Sequence, residues 1–252
     1  MELSRRLQAV EQFVTEGNRL ADIGTDHGYV PIDLLLKGRI PSAIAMDVNE
    51  GPLRQARAHV SFYQLEDRIQ LRLSDGLAAL QKGEADTVLI AGMGGALTVR
   101  ILEEGKHVLS EEEKDGTVSS VPELVLEPQS ELKKVRRYLA ENGWKITDEN
   151  MVLEDGKFYP VLKAVRGTMC LTETEALYGP VLLRKKHDVL RQYLDRERQV
   201  LLRAAENLKK ADENRAKQRR EELSEKVRIN QEAMGSIKTS SAVPESRIQH
   251  QV

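Results

Sequence analysis

Residues 19–37 read RLADIGTDHGYVPIDLLLK. Arg19–Ile23 is a short, mostly apolar run, which fits a strand buried on both faces. Gly24 and Gly28 bracket a turn that feeds a helix over Tyr29–Lys37. Strand, glycine turn and helix open a βαβ unit, and the chain repeats that unit. Ser42–Met46 is a second strand, ending at Asp47 and followed by a helix over Pro52–Tyr63 with Pro52 in its first turn. Ile69–Leu73 is a third, ending in Ser74-Asp75-Gly76 before a short helix at 77–81. Thr87–Ala91 is a fourth, running into Gly92-Met93-Gly94-Gly95 and a helix that ends near Leu109. Glu123–Glu127 is a fifth, with a helix over Leu132–Leu139. Trp144–Leu153 and Lys157–Val165 then form two strands joined by Glu154-Asp155-Gly156, a hairpin signal. The alternation predicts a mainly parallel sheet. The closing hairpin departs from a plain dinucleotide-binding fold, which keeps alternating.

Upstream, Leu3, Leu7, Val10 and Val14 recur at helical spacing, with Gly17 as a stop. Downstream the character changes near residue 172. Tyr178, Leu182, Val189, Tyr193, Val200, Ala204, Leu208 and Ala211 lie on one helical stripe. Asp212-Glu213-Asn214 reads as a turn, and Ala216, Leu223, Val227 and Met234 as a returning helix. Two such stripes bury each other in an antiparallel hairpin; a single solvated helix is the alternative. Residues 236–252 are rich in Ser, Gln and other polar residues and read as a disordered tail.

Charge follows the same division. Residues 1–172 carry 21 Lys and Arg against 27 Asp and Glu, whereas residues 173–235 carry 15 against 12. An acidic front and a basic back suggest two functional units. Aromatic residues are only 4% of the chain, which disfavours binding single strands mainly by stacking. The lone Cys170 excludes an internal disulfide and a cysteine zinc cluster. The charged N-terminus is not a signal peptide, and the uncharged run Thr87–Val99 is too short to span a bilayer. The expectation is a cytoplasmic protein with no metal and no membrane contact; the sequence leaves the oligomeric state open and leans toward a monomer.

Ligands of open α/β sheets bind at the carboxyl ends of the strands, and four loops lie there. The first, Asp22-Ile23-Gly24-Thr25-Asp26-His27-Gly28, allows close backbone approach and leads into a helix N-terminus, which favours a carboxylate or phosphate. A tight strand-to-helix turn explains the same glycines. The second holds Asp47 and Val48; a carboxylate there accepts both hydroxyls of a ribose, or caps the next helix. The third holds Asp75, which contacts an adenine amino group in methyltransferases, or caps the helix at 77–81. The fourth is Ala91-Gly92-Met93-Gly94-Gly95. Three glycines in four positions cost conformational entropy, and close approach to a ligand explains them. Met93 projects into the same crevice or fills core.

The stretches DIGTDHGYVPI (22–32), AMDVNEGPL (45–53), LSDGL (73–77) and AGMGG (91–95) together resemble the bacterial tRNA adenine-N1-methyltransferases that act on adenine 22 of the D-arm, the TrmK family. The likeness runs over about residues 1–166 and continues into a coiled-coil-like C-terminal part, which that family also has. It implies a Rossmann-like class I methyltransferase domain at 1–166 that binds S-adenosylmethionine, and a coiled-coil hairpin at 173–235. By the resemblance, Asp22, Gly24, Thr25, His27 and Gly28 hold the methionine part of the cofactor. Asp47 and Val48 hold its ribose, and Asp75 and Gly76 its adenine. The 91–95 segment, with Gly94 beside the cofactor and Gly95 beside the substrate, lines the pocket of the target base.

One position departs from the common Gly-x-Gly-x-Gly loop: its middle glycine is Asp26. An acid beside the cofactor carboxylate repels it, so Asp26 is expected to point elsewhere, toward the base or a water. Adenine N1 already carries a lone pair, so the enzyme's tasks are alignment and exclusion of water. Asp26 and His27 are the candidates for relieving the positive charge of the product, with Met93 beside the reacting atoms. Tyr29 either stacks on the target base or serves the core. Lys217, Arg219 and Arg220 in the hairpin, with other basic residues around them, are the candidate phosphate contacts of a folded tRNA; an ordinary solvated helix face is the alternative. A methyltransferase for another RNA substrate, a nicotinamide-dependent oxidoreductase and a non-catalytic RNA-binding protein are the rival readings.

Overall fold

The computed structural model describes the backbone of residues 2–111, 113–114, 117–118, 121–209 and 213–238, and the side chains of 2–111, 121–208 and 218–237. The chain forms two compact units, Met1–Val181 and Leu182–Val252. The division expected at 166–173 thus falls later, because helix α7, described below, belongs with the first unit.

In the first unit, α1 (Arg5–Phe13) precedes β1 (Leu20–Ile23), α2 (Tyr29–Leu36), β2 (Ala43–Asp47), α3 (Glu50–Phe62), β3 (Ile69–Leu73) and β4 (Thr87–Met93). Then come α4 (Gly95–Glu104), α5 (Lys106–Leu109), the short pair β5 (Glu113–Lys114) and β6 (Thr117–Val118), β7 (Glu123–Pro128) and α6 (Leu132–Glu141). The hairpin β8 (Trp144–Glu154) and β9 (Lys157–Arg166) and helix α7 (Glu173–Tyr178) complete it. Seven strands form one sheet in the order β3-β2-β1-β4-β7-β9-β8. The first five are parallel neighbours, and β9 runs antiparallel to both β7 and β8.

Alternation along buried strands explains the three layers. On one face Ala21, Ile23, Ile44, Met46, Val88, Ile90, Leu124 and Leu126 pack against Ile101, Leu102, Val135 and Leu139 of α4 and α6. On the other, Leu20, Ala43, Ala45, Leu89 and Val125 pack against Val10 of α1, Ile32 and Leu34 of α2 and Val60 of α3. Both faces being covered, these strands tolerate almost no exposed side. Helix α1 is tied down at both ends. Glu154 Oε1 accepts the Arg5 amide at 2.7 Å, and the buried Glu11 carboxylate meets Lys37 Nζ at 2.9 Å.

Two expected elements differ. The short helix at 77–81 is a run of turns. Ser74 rather than Asp75 ties it, its Oγ donating to the Gly76 carbonyl at 2.9 Å and accepting the Ala79 amide at 3.0 Å. Strand β4 continues two residues past Ala91, with its register against β7 broken between Ala91 and Met93.

Across the junction of the units lies α8 (Pro180–Arg184), and the second unit continues with α9 (Asp188–Lys209) and α10 (Glu213–Lys238). The expected continuous helix from Tyr178 is interrupted at Gly179-Pro180 and again at Lys186, whose φ is +52°. The buried face of α9 is Leu190, Leu194 and Leu201, one residue away from the expected Val189, Tyr193 and Val200. From α10, Ile229, Asn230, Ala233, Met234 and Ile237 are buried. Asn230 Nδ2 donates to the Leu194 carbonyl at 3.1 Å and to Glu197 Oε2 at 2.9 Å, fixing the register of the two helices. The expected tail begins inside α10, which runs through Lys238; residues 239–252 lie outside the described residues.

Candidate active site

Strand β1 is flanked by β2 and β4, so chain order reverses there and the loops leave a crevice at the carboxyl ends. The Gly24 and Thr25 amides both donate to the Met46 carbonyl, at 2.8 and 2.9 Å, which binds the first loop to the end of β2. Gly28 caps α2 in the left-handed conformation, φ +72°. A Cβ on Gly24 would lie 2.2 Å from Met93 Cε, so the fourth loop closes directly on the first. Asp22 is buried and accepts the Thr25 hydroxyl at 2.6 Å. Its pKa is pushed up to about 6, chiefly by burial; the Thr25 hydrogen bond opposes this and the negative charge of Asp47 adds to it.

Asp26 adopts φ +48° and its side chain is 72% exposed, turned out to the mouth of the crevice. His27 Nε2 lies 3.5 Å from Asp26 Oδ1. The His27 ring stacks on Tyr29 at 5.0 Å between centroids, and Tyr29 on His59 at 5.3 Å. His59 Nδ1 in turn sits 2.9 Å from the His27 carbonyl oxygen. The His27 and Tyr29 rings therefore wall one side of the mouth, with the His59 ring packed on both.

Two cavities meet at Gly24. One of about 190 Å³ is lined by Gly24, Asp47, Val48, Ser74, Asp75, Gly76, Met93, Leu97 and Arg100. The other, of about 320 Å³, is lined by Arg6, Asp22, Thr25, Asp26, His27, Tyr29, Ala91, Gly92 and Gln129. In the first, Asp47 Oδ1 accepts the Asn49 amide at 2.8 Å, and Asp75 pairs with Arg100 at 3.2 Å. Val48 and Leu97 beside them are 58% and 39% exposed, apolar side chains that a flat ring would cover. The crevice thus offers apolar cover beside Asp47 and Asp75, and beyond Gly24 a polar chamber with acids and one arginine. A nucleoside joined to a zwitterionic tail, as S-adenosylmethionine is, fits that sequence of environments.

The family model described as tRNA (adenine(22)-N(1))-methyltransferase, TrmK, matches residues 20–232. The chain belongs to the TrmK family. It is 34% identical to the tRNA (adenine(22)-N(1))-methyltransferase of Bacillus subtilis over 241 residues, 93% of this chain and 98% of that one. The crystal structure of the B. subtilis m1A22 tRNA methyltransferase TrmK superposes with a TM-score of 0.81 at 33% identity, covering 92% of this chain and 99% of that one. A Streptococcus pneumoniae protein described as a candidate tRNA (m1A22) methyltransferase, solved with S-adenosyl-L-methionine, superposes with a TM-score of 0.80 at 35% identity, covering 92% and 100%.

Several residues of this TrmK chain sit elsewhere than their motifs suggest. Gly95, expected in the target pocket, is buried, and a Cβ on it would lie 2.4 Å from the Ser130 carbonyl oxygen. Gly94 likewise packs on Ser130, whose Oγ would be 3.2 Å from its Cβ. These two glycines serve the crossing of residues 127–131 over the loop. Within 91–95, Gly92 has the left-handed φ, +79°, and faces the chamber. In the second unit, Arg219 has a 70% exposed side chain near Glu222, while the Arg220 guanidinium turns inward and donates to the Leu208 carbonyl at 2.8 Å. Lys217 lies in α10, and its side chain is outside the described residues.

Sequence reasoning missed Arg6, His59, Leu97, Arg100, Glu127 and Gln129. Glu127, fully buried at the end of β7, accepts Arg6 Nη1 at 2.8 Å and the Gly92 amide at 2.9 Å. Burial raises its pKa, and the Arg6 charge opposes the rise. The signal for this group was the segment EPQS (127–130), a fifth loop at a carboxyl end. For Arg6 there was none, since it lies on the polar face of a leading helix. Among the described residues no His, Cys, Asp and Glu cluster suits a metal ion, and no helix is long and apolar enough to cross a membrane.

Proposed function

We propose that this chain transfers the methyl group of S-adenosylmethionine to N1 of adenine 22 in tRNA. The observation that carries this reading is the pair of cavities meeting at Gly24, one suited to a nucleoside and the other to a zwitterionic tail with a flat base beside it. Family membership and the named activity of the B. subtilis relative support it.

When bound, S-adenosylmethionine supplies an electrophilic methyl carbon on a sulfonium. Asp47 would accept its ribose hydroxyls and Asp75 its adenine amino group, with Val48, Gly76 and Leu97 as the surrounding surface. Gly24, Thr25 and Gly28 would cradle the methionyl part, with Asp22 facing its ammonium. Among the described residues, Arg6 is the only lysine or arginine lining the larger cavity, and it would meet the carboxylate. Arg6 would then supply the counter-charge, with Asp26 at the mouth of the crevice rather than against the carboxylate.

The target adenine would enter between Tyr29 and the backbone of Ala91–Gly94, after leaving its stack. N1 needs no base to attack. Asp26, steadied by His27, would stabilise the positive charge on the methylated base or take a proton from its amino group. Met93, packed on Gly24, would keep water from the line of transfer. Its action is placed in the cytoplasm, where tRNA resides. The basic second unit, through Lys217, Arg219 and their neighbours, would hold the tRNA by its phosphates.

Incubation with methyl-labelled S-adenosylmethionine and unmodified tRNA, followed by nucleoside mapping, tests this. Label as N1-methyladenosine at position 22 is expected. Label in another nucleoside, or none, contradicts it.

A further inference from the structure

The 91–95 loop is Ala-Gly-Met-Gly-Gly and offers a target base no side-chain hydrogen-bonding group apart from a weakly accepting thioether. Of its backbone groups, the Gly92 and Gly95 amides and the Met93 and Gly94 carbonyls already have partners. The polar wall comes from the neighbouring strand. Residues 127–131 are joined to this loop along their length: the Gly92 amide donates to Glu127 Oε2 at 2.9 Å, the Gln129 amide to the Met93 carbonyl at 2.8 Å, the Gly95 amide to the Ser130 carbonyl at 3.1 Å and the Ala96 amide to Glu131 Oε2 at 3.1 Å. Gly95 permits that closeness, since any side chain there meets the Ser130 backbone.

This joining brings the Gln129 side chain to the larger cavity, which Asp26, His27 and Tyr29 also line. Its Nε2 lies 3.9 Å from where a Cβ on Gly92 would stand. The backbone at Gln129 is fixed by the bond to Met93 and by Pro128 before it, and the side-chain amide makes no hydrogen bond among the described residues. An anchored backbone with an uncommitted amide at the cavity where the base meets the cofactor tail is the form of a reading group.

Chemistry selects which edge it reads. Alkylation of N1 requires the Watson–Crick edge to face the methyl donor, so N1 itself stays without a protein partner. The edge left for recognition carries N6 and N7. A glutamine amide matches it with two hydrogen bonds, Oε1 accepting from N6–H and Nε2 donating to N7. Guanine presents two acceptors there and a protonated N1, so it fits neither the amide nor the reaction.

We propose that Gln129 is the specificity-determining residue that grips the N6/N7 edge of the target adenine; this rests on the methyl-transfer reading above. The test uses the full chain and two tRNA transcripts, one with adenine and one with 7-deazaadenine at position 22, which lacks the N7 acceptor. For wild type, kcat/KM falls with the deaza base. For Gln129→Ala it falls with adenine by roughly 5- to 150-fold, the range of a bidentate amide–adenine pair, and falls no further with the deaza base. Gln129→Glu keeps an acceptor for N6–H but sets a carboxylate oxygen against N7 in place of the donor, so it shows no penalty with the deaza base. An unchanged thermal unfolding midpoint certifies the folding of both variants, and a loss of S-adenosylmethionine affinity equal to the loss in kcat/KM assigns Gln129 to the cofactor and overturns the proposal. Wild-type kcat/KM in Gln129→Ala, or an undiminished deaza penalty in either variant, overturns the proposal. Failure of the wild-type protein to methylate adenine 22 at all overturns the functional reading, and this proposal with it.

Discussion

Asp22 is held in the fold as a carboxyl that resists ionisation, with its pKa raised from 3.8 to about 6. The protonated form is therefore the one that folding favours. Its stabilising contribution is complete below the unfolded value near 4 and is lost as pH rises through about 6. Asp22→Asn removes that dependence. Between pH 4 and 7 the ligand-free variant should gain up to about 3 kcal/mol on wild type in chemical denaturation; a difference that stays flat with pH contradicts the burial argument. Asp26 makes the opposite case, an exposed acid in a left-handed turn whose loss costs little stability. Asp26→Ala should slow methylation about tenfold or more while leaving the cofactor Kd unchanged, measured by single-turnover assay and calorimetry. Full turnover removes Asp26 from the chemistry. Both acids are visible in the sequence as members of one loop, but their contrast is not. The raised pKa of Asp22 comes from its burial in the fold, with Thr25 opposing and Asp47 adding, and the outward turn of Asp26 accompanies a single left-handed φ angle.

At the scale of elements, the crevice depends on the packing of the loop after β4 on the segment after β7. Gly95→Ala drives a methyl into the Ser130 carbonyl, 2.4 Å away. It should destabilise by roughly 1–3 kcal/mol, and lower kcat/KM for tRNA through the shifted Gln129; unchanged stability and activity contradict the account of that glycine. A second joint lies between α6, β8 and α7. Arg136 and Glu149 form a fully buried pair at 2.9 Å, with Arg136 Nη1 donating to the Leu177 carbonyl at 2.8 Å and Glu149 accepting the Val181 amide at 2.8 Å. Arg136→Met strands a buried carboxylate and should cost about 3–5 kcal/mol in urea denaturation. A loss within experimental error means the pair relaxes to water. The strands were legible because short apolar runs between glycine turns have few other readings. The EPQS segment was not, because its role exists only once β7 lies beside β4. The hairpin face falls one residue out of phase with the expected stripe for a related reason. Val189-Leu190, Tyr193-Leu194 and Val200-Leu201 are adjacent apolar pairs, and periodicity alone does not choose between the two members.

Across the whole molecule, an acidic unit carrying the crevice is followed by a basic helical unit. That asymmetry suits a polyanion held by the second unit while the first does chemistry on one base. Arg219→Glu with Lys217→Glu should weaken tRNA binding, and reduce the slope of log K against log salt by about one for each phosphate that is no longer neutralised, with cofactor affinity intact. Unaltered binding and slope assign the hairpin another job. Arg220 is a poorer choice, because its bond to the Leu208 carbonyl serves the hairpin itself. Domain order and charge were plain in the sequence; which arginines face outward was not, since that follows from the register set by Asn230. The central claim is that the loops after β1 to β4 converge on one adenosyl-sulfonium ligand. Calorimetric titration with S-adenosylmethionine, comparing wild type with Asp47→Ala, addresses it most directly. The account predicts a single site in wild type and at least about tenfold weaker binding in the variant, from the loss of charge-assisted hydrogen bonds to the ribose. No binding by wild type, or equal binding by both, contradicts it.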